Sequence, residues 1–356
     1  RWVKLDKTPQ KLDPESWLKE CCQVERSLSQ PKYQKIGKYE IDIIGVVFPE
    51  EKGYREEALN WVFIIRRRMK RSGNRQKTRP LQLIRSDYYT VDNLAVRVPR
   101  LNGLNRKSVF LLGTGALGSQ VVMQLARAGI GDIYYLDHDI LQSGNLPRWI
   151  TAFDFVGSPK VFAIHHILSR NYPLVNSHPI HHRVGMHGDV TVDGKKMDSH
   201  KMILELIDRA DIVIDCTAES NVSHYISDLC KFKNTDFIWA TATDGGWGGI
   251  VGISAAVDQG NTWLDFSKQY ASGVIKAPSA EENSSVQPVG CFSPTFTGTG
   301  FDLDHVSLMG VRLSISCLLT DIDDVYPKFD WNVAVLNLWD EVTGMPIPCD
   351  WETYTV

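Results

Sequence analysis

The fold of this chain is decided by the stretch Ser108-Val-Phe-Leu-Leu-Gly-Thr-Gly-Ala-Leu-Gly118. It opens with a short apolar run that is typical of a buried strand, and three glycines follow at once. Apolar residues then recur at helical spacing until Gly129 and Gly131, which predict the end of a helix. Ile133-Tyr-Tyr-Leu136 predicts the next strand. A strand, a helix and a strand within about 30 residues predict two parallel strands joined by a crossover helix.

The glycines between the strand and the helix predict a nucleotide site. Backbone amides at such a turn can approach an anion closely, and the helix amino-terminus favours negative charge. Asp137 follows Gly118 by 19 positions and stands at the end of the next strand, where a carboxylate can bind both ribose hydroxyls. The predicted phosphate loop comprises Gly113, Gly115, Ala116, Leu117 and Gly118.

The residues after Asp137 indicate chemistry on a triphosphate. Asp139, Asn145, Arg148 and Lys160 follow in order, and Lys160 opens a predicted helix over residues 160–169. This set is unusual for hydride transfer, whereas it suits the handling of a triphosphate. Arginine and lysine can neutralise charge that develops during attack at phosphorus, and Asn and Asp can orient phosphate or Mg²⁺.

Gly-x-Gly-x-x-Gly, Asp-x-Asp, Asn-x-x-Arg and the following Lys together resemble the ubiquitin-activating enzyme superfamily, which includes ThiF, MoeB and HesA. The resemblance covers roughly residues 97–320. It implies an α/β fold, a Rossmann-like adenylation domain with a mostly parallel sheet, usually dimeric. In that superfamily, ATP and Mg²⁺ serve to adenylate the carboxy-terminal glycine of a ubiquitin-like protein.

The resemblance also implies roles for individual residues. Asp137 would bind ribose, Arg148 and Lys160 would contact the phosphates with Asn145 beside them, and Asp139 would belong to the same polar cluster. We therefore expect Arg148 and Lys160 to act in catalysis as well as in nucleotide binding.

One segment departs from the superfamily pattern and leaves the metal ligand open. The superfamily often has Asp-Cys-x-Asp-Asn, where the second Asp helps to hold Mg²⁺, whereas this chain reads Asp215-Cys-Thr-Ala-Glu219. Ala218 stands where that acid is expected, so Glu219 or Asp215 substitutes for it, or fewer protein ligands hold the metal. Thr217 in this segment is predicted to bind the nucleotide.

The chain contains seven cysteines without regular spacing, which does not form a disulfide framework and fits a reducing, cytoplasmic compartment. The resemblance implies that one of them accepts the adenylated product as a thioester, in a loop between the sheet crossover and a helix. Cys291 fits this place, because it follows a polar stretch and precedes a helix predicted from about Leu303 to Leu319. We therefore predict Cys291 as the nucleophile.

The length of 356 residues suggests one large or two ordinary domains. We predict a small α+β linker or accessory domain over residues 1–100 and the adenylation domain over residues 101–356, with a crossover loop at 265–295. The basic run Arg66–Arg71 is interpreted as a solvated element end. Because Arg1 is not an initiator methionine, we expect that a conjugating-type domain preceded it.

Composition excludes several functional classes. No apolar run approaches the roughly 18–20 residues that a membrane span needs. No amino-terminal segment has the charge and apolar pattern of a secretory signal. The net charge of −3 and a pI of about 6.4 do not indicate binding to nucleic acid.

The resemblance extends to bacterial fusions in which a conjugating-type domain precedes a linker and an activating domain, as in CBASS antiphage operons. There the modified protein is a cGAS-like nucleotidyltransferase. We therefore expect a homodimer that activates the carboxy-terminus of a ubiquitin-like protein or of such a nucleotidyltransferase, in antiphage defence. Adenylation without a thioester, in sulfur-carrier or tRNA-modification chemistry, stays open. A dinucleotide-dependent oxidoreductase and a non-catalytic interaction module stay open as well.

Overall fold

The chain divides into two compact units, Arg1–Pro99 and Arg100–Val356. This division comes from a computed structural model of the protein. The structure describes residues 1–53, 55–69, 77–151, 153–257, 260–278, 285–286, 295–319, 326–340, 343 and 345–356.

The first unit is α+β. Its strands are β1 (Trp2–Lys4), β2 (Gln34–Ile36), β3 (Tyr39–Gly53), β4 (Glu56–Met69), β5 (Lys77–Thr78) and β6 (Gln82–Arg85), and its helices are α1 (Pro14–Val24) and α2 (Val91–Ala95). The six strands form one sheet, in which only the β1–β3 pair is parallel among the described residues.

The long hairpin of β3 and β4 carries the core of this unit. Ile44, Val46 and Phe48 alternate along β3 and are buried on the face that α1 covers. Trp17 of α1 packs edge-on against Phe48, with the ring centroids 4.9 Å apart. The amino-terminus of α1 is fixed by Asp13, whose side chain accepts a hydrogen bond from the Ser16 amide at 2.8 Å.

A buried ion cluster in this unit corrects the interpretation of the basic run. Arg66 is only 6% exposed, and its Nε donates to Asp42 Oδ2 at 2.8 Å. Arg1 also donates to Asp42, at 2.7 and 2.9 Å. The interpretation of Arg66 as a solvated end was wrong, because charge counting along the chain does not reveal the opposing Asp42 across the hairpin. Lys70 and Arg71 of that run lie outside the described residues.

The second unit is α/β. Its strands are β7 (Ser108–Leu112), β8 (Asp132–Asp137), β9 (Asn176–His181), β10 (Asp189–Val192), β11 (Lys195–Asp198), β12 (Ile212–Asp215), β13 (Asp236–Ala242), β14 (Gly248–Ser254), β15 (Ser285–Val286), β16 (Thr295–Phe296), β17 (Val333–Asp340) and β18 (Met345–Tyr354). Its helices are α3 (Ala116–Ala128), α4 (Lys160–Asn171), α5 (Ser199–Arg209), α6 (Ser220–Lys233), α7 (Thr262–Ala271) and α8 (Gly300–Leu318).

Eight of these strands form the central sheet, in the order β18-β17-β14-β13-β12-β7-β8-β9. The five strands from β13 to β9 are parallel to one another, and the pairs from β13 to β18 are antiparallel. The fold prediction, a Rossmann-like α/β domain with a mostly parallel sheet, is therefore confirmed. In such a sheet, ligands bind at the carboxyl ends of the parallel strands.

Both faces of the central sheet are covered, as the apolar strands predict. Val109 and Leu111 of β7 are buried together with α3, α4 and α8. Phe110 and Leu112 are buried on the opposite face, together with α5, α6 and α7. None of the helices within the described ranges has the length and apolar character needed to cross a membrane.

The predicted crossover loop over residues 265–295 is wrong in its first part, because α7 continues to Ala271. Asn261 caps this helix, because its side chain accepts a hydrogen bond from the Leu264 amide at 3.2 Å, and the helix buries Trp263 and Phe266. Burial of these two aromatic residues stabilises a helix in a stretch whose polar composition predicted a loop. Residues 279–284 and 287–294, and with them Cys291, lie outside the described residues.

Trp17→Ala tests how far the first unit depends on the packing of α1. We expect the free energy of unfolding of this unit to fall by about 3–5 kcal/mol, because Trp17 is 2% exposed and truncation of a buried aromatic residue leaves a cavity. Trp2→Ala is the matched control: Trp2 is 66% exposed, so we expect a change within about 0.5 kcal/mol. The measurement is hydrogen exchange of the β3 and β4 amides, since two units need not unfold in one step. Equal effects of both substitutions would contradict this account.

Candidate functional site

A cleft opens at the carboxyl ends of β7, β8 and β12, three strands that lie side by side in the sheet in the order β12-β7-β8. Six residues predicted from the sequence line it, and they are Gly113, Gly115, Asp137, Asp139, Lys160 and Thr217. The parallel sheet brings them together because the loop after each of these strands starts at the same edge.

The glycines of the loop have different roles. Gly113 has a φ of +80°, and a Cβ there would lie 2.8 Å from the Thr217 backbone nitrogen. A Cβ on Gly118 would overlap the Gly113 carbonyl oxygen and lie 3.1 Å from Cys216 Cβ. Gly115 has a φ of −71°, which any residue can adopt, and a Cβ there would meet nothing within 4 Å. Gly113 and Gly118 are therefore required for packing, whereas Gly115 keeps open space beside the amino-terminus of α3.

Helix α3 offers amides to this open space. Its first residue is Ala116, and Gly115 before it provides no side-chain cap. The side chain of Leu117 is 5% exposed and lies in the core, so only the backbone of this residue can serve a ligand. Uncapped amides at a helix amino-terminus suit a phosphate group.

Asp137 ties the loop to β8. Its Oδ2 accepts hydrogen bonds from the Thr114 amide at 2.6 Å and the Thr114 hydroxyl at 2.9 Å, and its Oδ1 accepts the Asp139 amide at 2.8 Å. Each carboxylate oxygen has two lone pairs, so Asp137 keeps one of four for a ligand. With these bonds in place one lone pair is left for a ribose hydroxyl, and binding of ribose by Asp137 stays a prediction.

Trp149 holds the same loop from the other side. Its indole Nε1 donates to the Thr114 carbonyl oxygen at 2.7 Å, and the ring is 7% exposed. Thr114 is thus bonded through its amide, hydroxyl and carbonyl groups, which fixes the loop before any ligand binds.

Lys160 and Asp139 form an ion pair in the cleft wall. Lys160 is the first residue of α4 and is 7% exposed, and its Nζ donates to Asp139 Oδ2 at 2.7 Å. The Lys160 amide also donates to the Asp139 carbonyl oxygen at 2.9 Å. Burial raises the pKa of Asp139, but the charge and hydrogen bond of Lys160 lower it more, so the pKa lies below its usual value.

His138 lies against this pair. Its Nε2 is 3.4 Å from Asp139 Oδ1. Continued strand alternation would point His138 away from both aspartates, but β8 ends at Asp137.

Asn145 and Arg148 are not part of the cleft wall. Both lie in a short 3₁₀ helix, Ser143–Arg148, where Asn145 Oδ1 accepts the Gln142 amide at 2.9 Å and caps the helix. Arg148 is half-buried, which lowers its pKa. The first residue of α8 packs on its backbone, because a Cβ on Gly300 would lie 3.2 Å from Arg148 Cα.

The two candidate metal-binding acids, Asp215 at the end of β12 and Glu219 in the segment after it, have different environments. Asp215 is 1% exposed and accepts bonds from the Thr217 amide and hydroxyl and from Ser223, at 2.6 to 2.8 Å. Burial raises its pKa against the lowering effect of these bonds. Glu219 is exposed and lines the cleft, and within the described part of the chain its carboxylate has no hydrogen-bond or ion-pair partner. Ala218 between them has a φ of +58°, which is left-handed.

Sequence reasoning missed Arg183, Val184 and Val222 in the cleft wall. Arg183 follows β9, and its charge contributes to the lowered pKa of Asp139. Its position after a parallel strand is the signal that could have identified it, but β9 itself is too polar to be predicted.

The sequence model of the ThiF family matches residues 91–293, which is more than half of the chain. The chain belongs to the ThiF family. This agrees with the resemblance predicted from the motifs, and the eight-stranded sheet agrees with the fold that the resemblance implies.

The chain is similar to several known proteins. An uncharacterized protein of Sinorhizobium fredii, y4oA, is 30% identical over 366 residues that cover 100% of this chain and 60% of that protein. The ATP-dependent ubiquitin transferase-like protein Cap2 of Enterobacter hormaechei is 23% identical over 65% of this chain and 36% of its own length. The molybdopterin-synthase adenylyltransferase of Haemophilus influenzae is 26% identical over 50% of this chain and 67% of its own length. The chain thus spans less than two thirds of the length of y4oA and about a third of the length of Cap2.

Solved structures share the fold. Escherichia coli MccB with MccA-N7isoASN aligns with a TM-score of 0.51 and 17% identity, over 75% of this chain and 73% of that one.

Gly115→Ala and Gly118→Ala separate ligand binding from packing in the loop. We expect Gly118→Ala to destabilise the unit by about 2–3 kcal/mol, because its Cβ meets backbone that cannot move freely. Gly115→Ala should lower the free energy of unfolding by less than about 1 kcal/mol, since its Cβ enters open space. The same substitution should weaken nucleotide binding at least tenfold, because the Cβ occupies the space that a phosphate would use. Thermal melts and calorimetric titration with ATP provide the measurements. Unchanged ATP affinity in Gly115→Ala would contradict the role of that open space.

Proposed function

We propose that the chain is an ATP-dependent adenylating enzyme that activates the carboxyl-terminus of a protein. The observation that carries the proposal is the buried Lys160 ammonium, paired with Asp139 at 2.7 Å in the wall of a glycine-loop cleft. A buried cation beside uncapped helix amides suits a polyphosphate, and membership of the ThiF family supports the same chemistry.

In the proposed first step, a carboxylate oxygen of the substrate attacks the α-phosphorus of ATP, and pyrophosphate leaves. The amides at the start of α3 would hold phosphate oxygens through the open space at Gly115. Lys160 would stabilise charge in the transition state, and Asp139 fixes its ammonium by a hydrogen bond. We assign Arg148 to the same reaction from the resemblance, as a residue beside the cleft that reaches the phosphates when substrate binds.

In the proposed second step, the thiolate of Cys291 attacks the acyl carbon. A carbon–sulfur bond forms, the carbon–oxygen bond to phosphate breaks, and AMP leaves. Burial raises the pKa of the Cys216, Cys230 and Cys317 thiols, that of Cys317 to about 12, so these thiols are poor nucleophiles. Cys22 and Cys349 are less buried, so the assignment to Cys291 rests on its position in the sequence, after the polar stretch and before α8.

Magnesium, when bound, would neutralise charge on the phosphates and orient them. Three donors occupy Asp215, whereas Glu219 faces the cleft with an unoccupied carboxylate in the described part of the chain. We therefore assign the metal to Glu219 and not to Asp215.

The biological setting belongs to the proposal as well. The name of the Cap2 relative supports ATP-dependent transfer of a ubiquitin-like protein. From the motif resemblance we extend the proposal to conjugation of such a protein, or of a cGAS-like nucleotidyltransferase, by a conjugating-type partner in antiphage defence. We propose a cytoplasmic homodimer for this role.

Adenylation without a thioester is the second candidate, favoured by the molybdopterin-synthase adenylyltransferase relative. A dinucleotide oxidoreductase is disfavoured, because the buried Lys160–Asp139 pair would have no role in hydride transfer.

Pyrophosphate exchange tests the function. With candidate carboxy-terminal peptides and labelled pyrophosphate, we expect ATP labelling that depends on one peptide, and a loss of at least 10²-fold in Lys160→Met, because the charge is lost while the volume is kept. Cys291→Ala should retain exchange and lose a thiol-sensitive adduct with the peptide. Retained conjugation in Cys291→Ala would favour the second candidate, and the absence of exchange with every peptide would reject adenylation of a protein carboxyl-terminus.

Glu219→Gln tests the metal assignment by binding alone. We expect ATP affinity to fall about tenfold with Mg²⁺ present and to stay within about twofold in EDTA, since only the metal-dependent part uses this carboxylate. Manganese binding to the ATP complex, followed by electron paramagnetic resonance, gives a second readout. Glu15→Gln, an exposed acid of α1, is the control. Unaltered magnesium dependence in Glu219→Gln would remove Glu219 from the metal site.

A further inference from the structure

We propose that the first unit binds a second copy of this chain through the outer face of its six-stranded sheet. The outer face is the one opposite the core that α1 covers. This inference rests on the homodimer proposed above and assigns it a surface, and it does not depend on the chemistry of the cleft.

The outer face is apolar across the whole sheet. Side chains alternate along a strand, so the residues between the buried ones of β3 and β4 lie on this face. Strand pairing places Trp2 beside Gly45 and Ile84 opposite Phe63. In the described part of this sheet, five large apolar side chains are 44 to 66% exposed, and all of them lie on the outer face: Trp2, Ile36, Ile43, Leu59 and Ile84. A contiguous exposed apolar surface of this kind marks an interaction site.

Aromatic rings occupy the middle of the outer face and are held there. The rings of Trp61 and Phe63 stack with an angle of 14° between them, and the Trp2 ring lies 6.4 Å from that of Trp61. Gly45 leaves room for the Trp61 ring, since a Cβ there would lie 2.9 Å from it. A surface that is ordered in advance loses little conformational entropy when it binds.

The order of residues along β4 shows why a second copy fits this face. On the outer face, β4 presents in turn Glu57, Leu59, Trp61, Phe63, Ile65 and Arg67. The pattern is one acid, four apolar residues and one base, and its midpoint falls at Val62. Two copies can pack face to face about a twofold axis that lies across the strands, and their β4 strands are then antiparallel. Glu57 of each copy faces Arg67 of the other, and Trp61 faces Phe63.

The remaining cation of the outer face fits the same arrangement. Lys4 lies beside Val47, and Trp2 lies beside Gly45, on opposite sides of the midpoint. The rotation that pairs the β4 strands therefore places Lys4 of one copy over the Trp2 ring of the other, a favourable cation–π contact. A different apolar partner would need acids opposite Arg67 and Lys4 and a base opposite Glu57, whereas a second copy already carries a matching set.

The two charged ends of the pattern cannot pair within one chain. Glu57 and Arg67 are ten residues apart on one strand, which is roughly 33 Å at about 3.3 Å per residue. Glu57 is exposed, and the Arg67 guanidinium lies 5.4 Å from the centre of the Tyr39 ring at the rim of the face. Any coupling between Glu57 and Arg67 must therefore act between copies.

Charge reversal at the two ends tests the inference. We would measure the dimer dissociation constant of the full chain by sedimentation velocity over a range of concentrations. Glu57→Arg and Arg67→Glu each place like charges opposite one another, so each should raise this constant at least about tenfold at low salt and less at high salt. A mixture of the two variants in equal amounts should associate as the wild type does, because each substitution complements the other across the interface.

Ile43→Lys tests the apolar part of the face. It should raise the dissociation constant on the order of 100-fold, since a lysine ammonium would lose its water in an apolar contact. Leu12→Lys is the matched control, because Leu12 is 77% exposed and lies outside the sheet. Glu56→Arg is the control for charge, since Glu56 is exposed and precedes Glu57 on the other face. Both controls should leave the dissociation constant unchanged.

Three results would overturn the inference. A full chain that stays monomeric at every concentration would mean that another protein or a lipid surface covers the outer face. An unchanged dissociation constant in Glu57→Arg, Arg67→Glu and Ile43→Lys would mean that two copies meet elsewhere. Weaker association in both charge variants without recovery in their mixture would exclude the antiparallel contact. Pyrophosphate exchange on the same wild-type sample separates the proposals, since its absence rejects the adenylation and leaves the dimer measurement valid.

Discussion

The site depends on the carboxylate of Asp137, which is almost completely buried and accepts three hydrogen bonds from its own chain. Two of them hold Thr114 in the glycine loop, and the third holds the amide of Asp139. One side chain thus connects the end of β8 with the turn after β7 and with the residue that pairs Lys160. A buried carboxylate is stable only when hydrogen-bond donors surround it. Asp137 therefore depends on the donors of the loop, and the loop conformation depends on Asp137.

Much of the parallel half of the fold follows from the sequence, because each buried strand there is a continuous apolar run. The strand predicted at Ile133–Leu136 lies within β8, and the helix predicted at 160–169 is α4, two residues longer. Strand β9 could not be found in this way. Its sequence is polar, and Ile180 is its one fully buried residue, so no hydrophobic period marks it. Arg183 was missed for this reason, since its place in the cleft depends on β9.

The candidate site was predictable where backbone geometry alone decides position. Glycine spacing and the strand ends brought Gly115, Asp139 and Lys160 together as expected. Side-chain direction was not predictable. The amide group of Asn145 caps its own short helix, and Asp137 is occupied by Thr114, because local hydrogen bonds compete with those to a ligand. The departure at Ala218 was visible in the sequence, but only burial distinguishes the occupied Asp215 from the open Glu219.

The hydrogen bond from Trp149 to the Thr114 carbonyl gives the molecule an optical property. The fluorescence emission wavelength of a buried indole depends on the hydrogen bond that it donates and on the dipoles around it. Trp149 is joined to the loop that would hold the phosphates, and it follows Arg148 directly in the chain. Any movement of the loop or of the arginine segment therefore changes the surroundings of this chromophore. The chain has ten tryptophans, so the difference in emission between the wild type and Trp149→Phe is the signal that reports the state of the site.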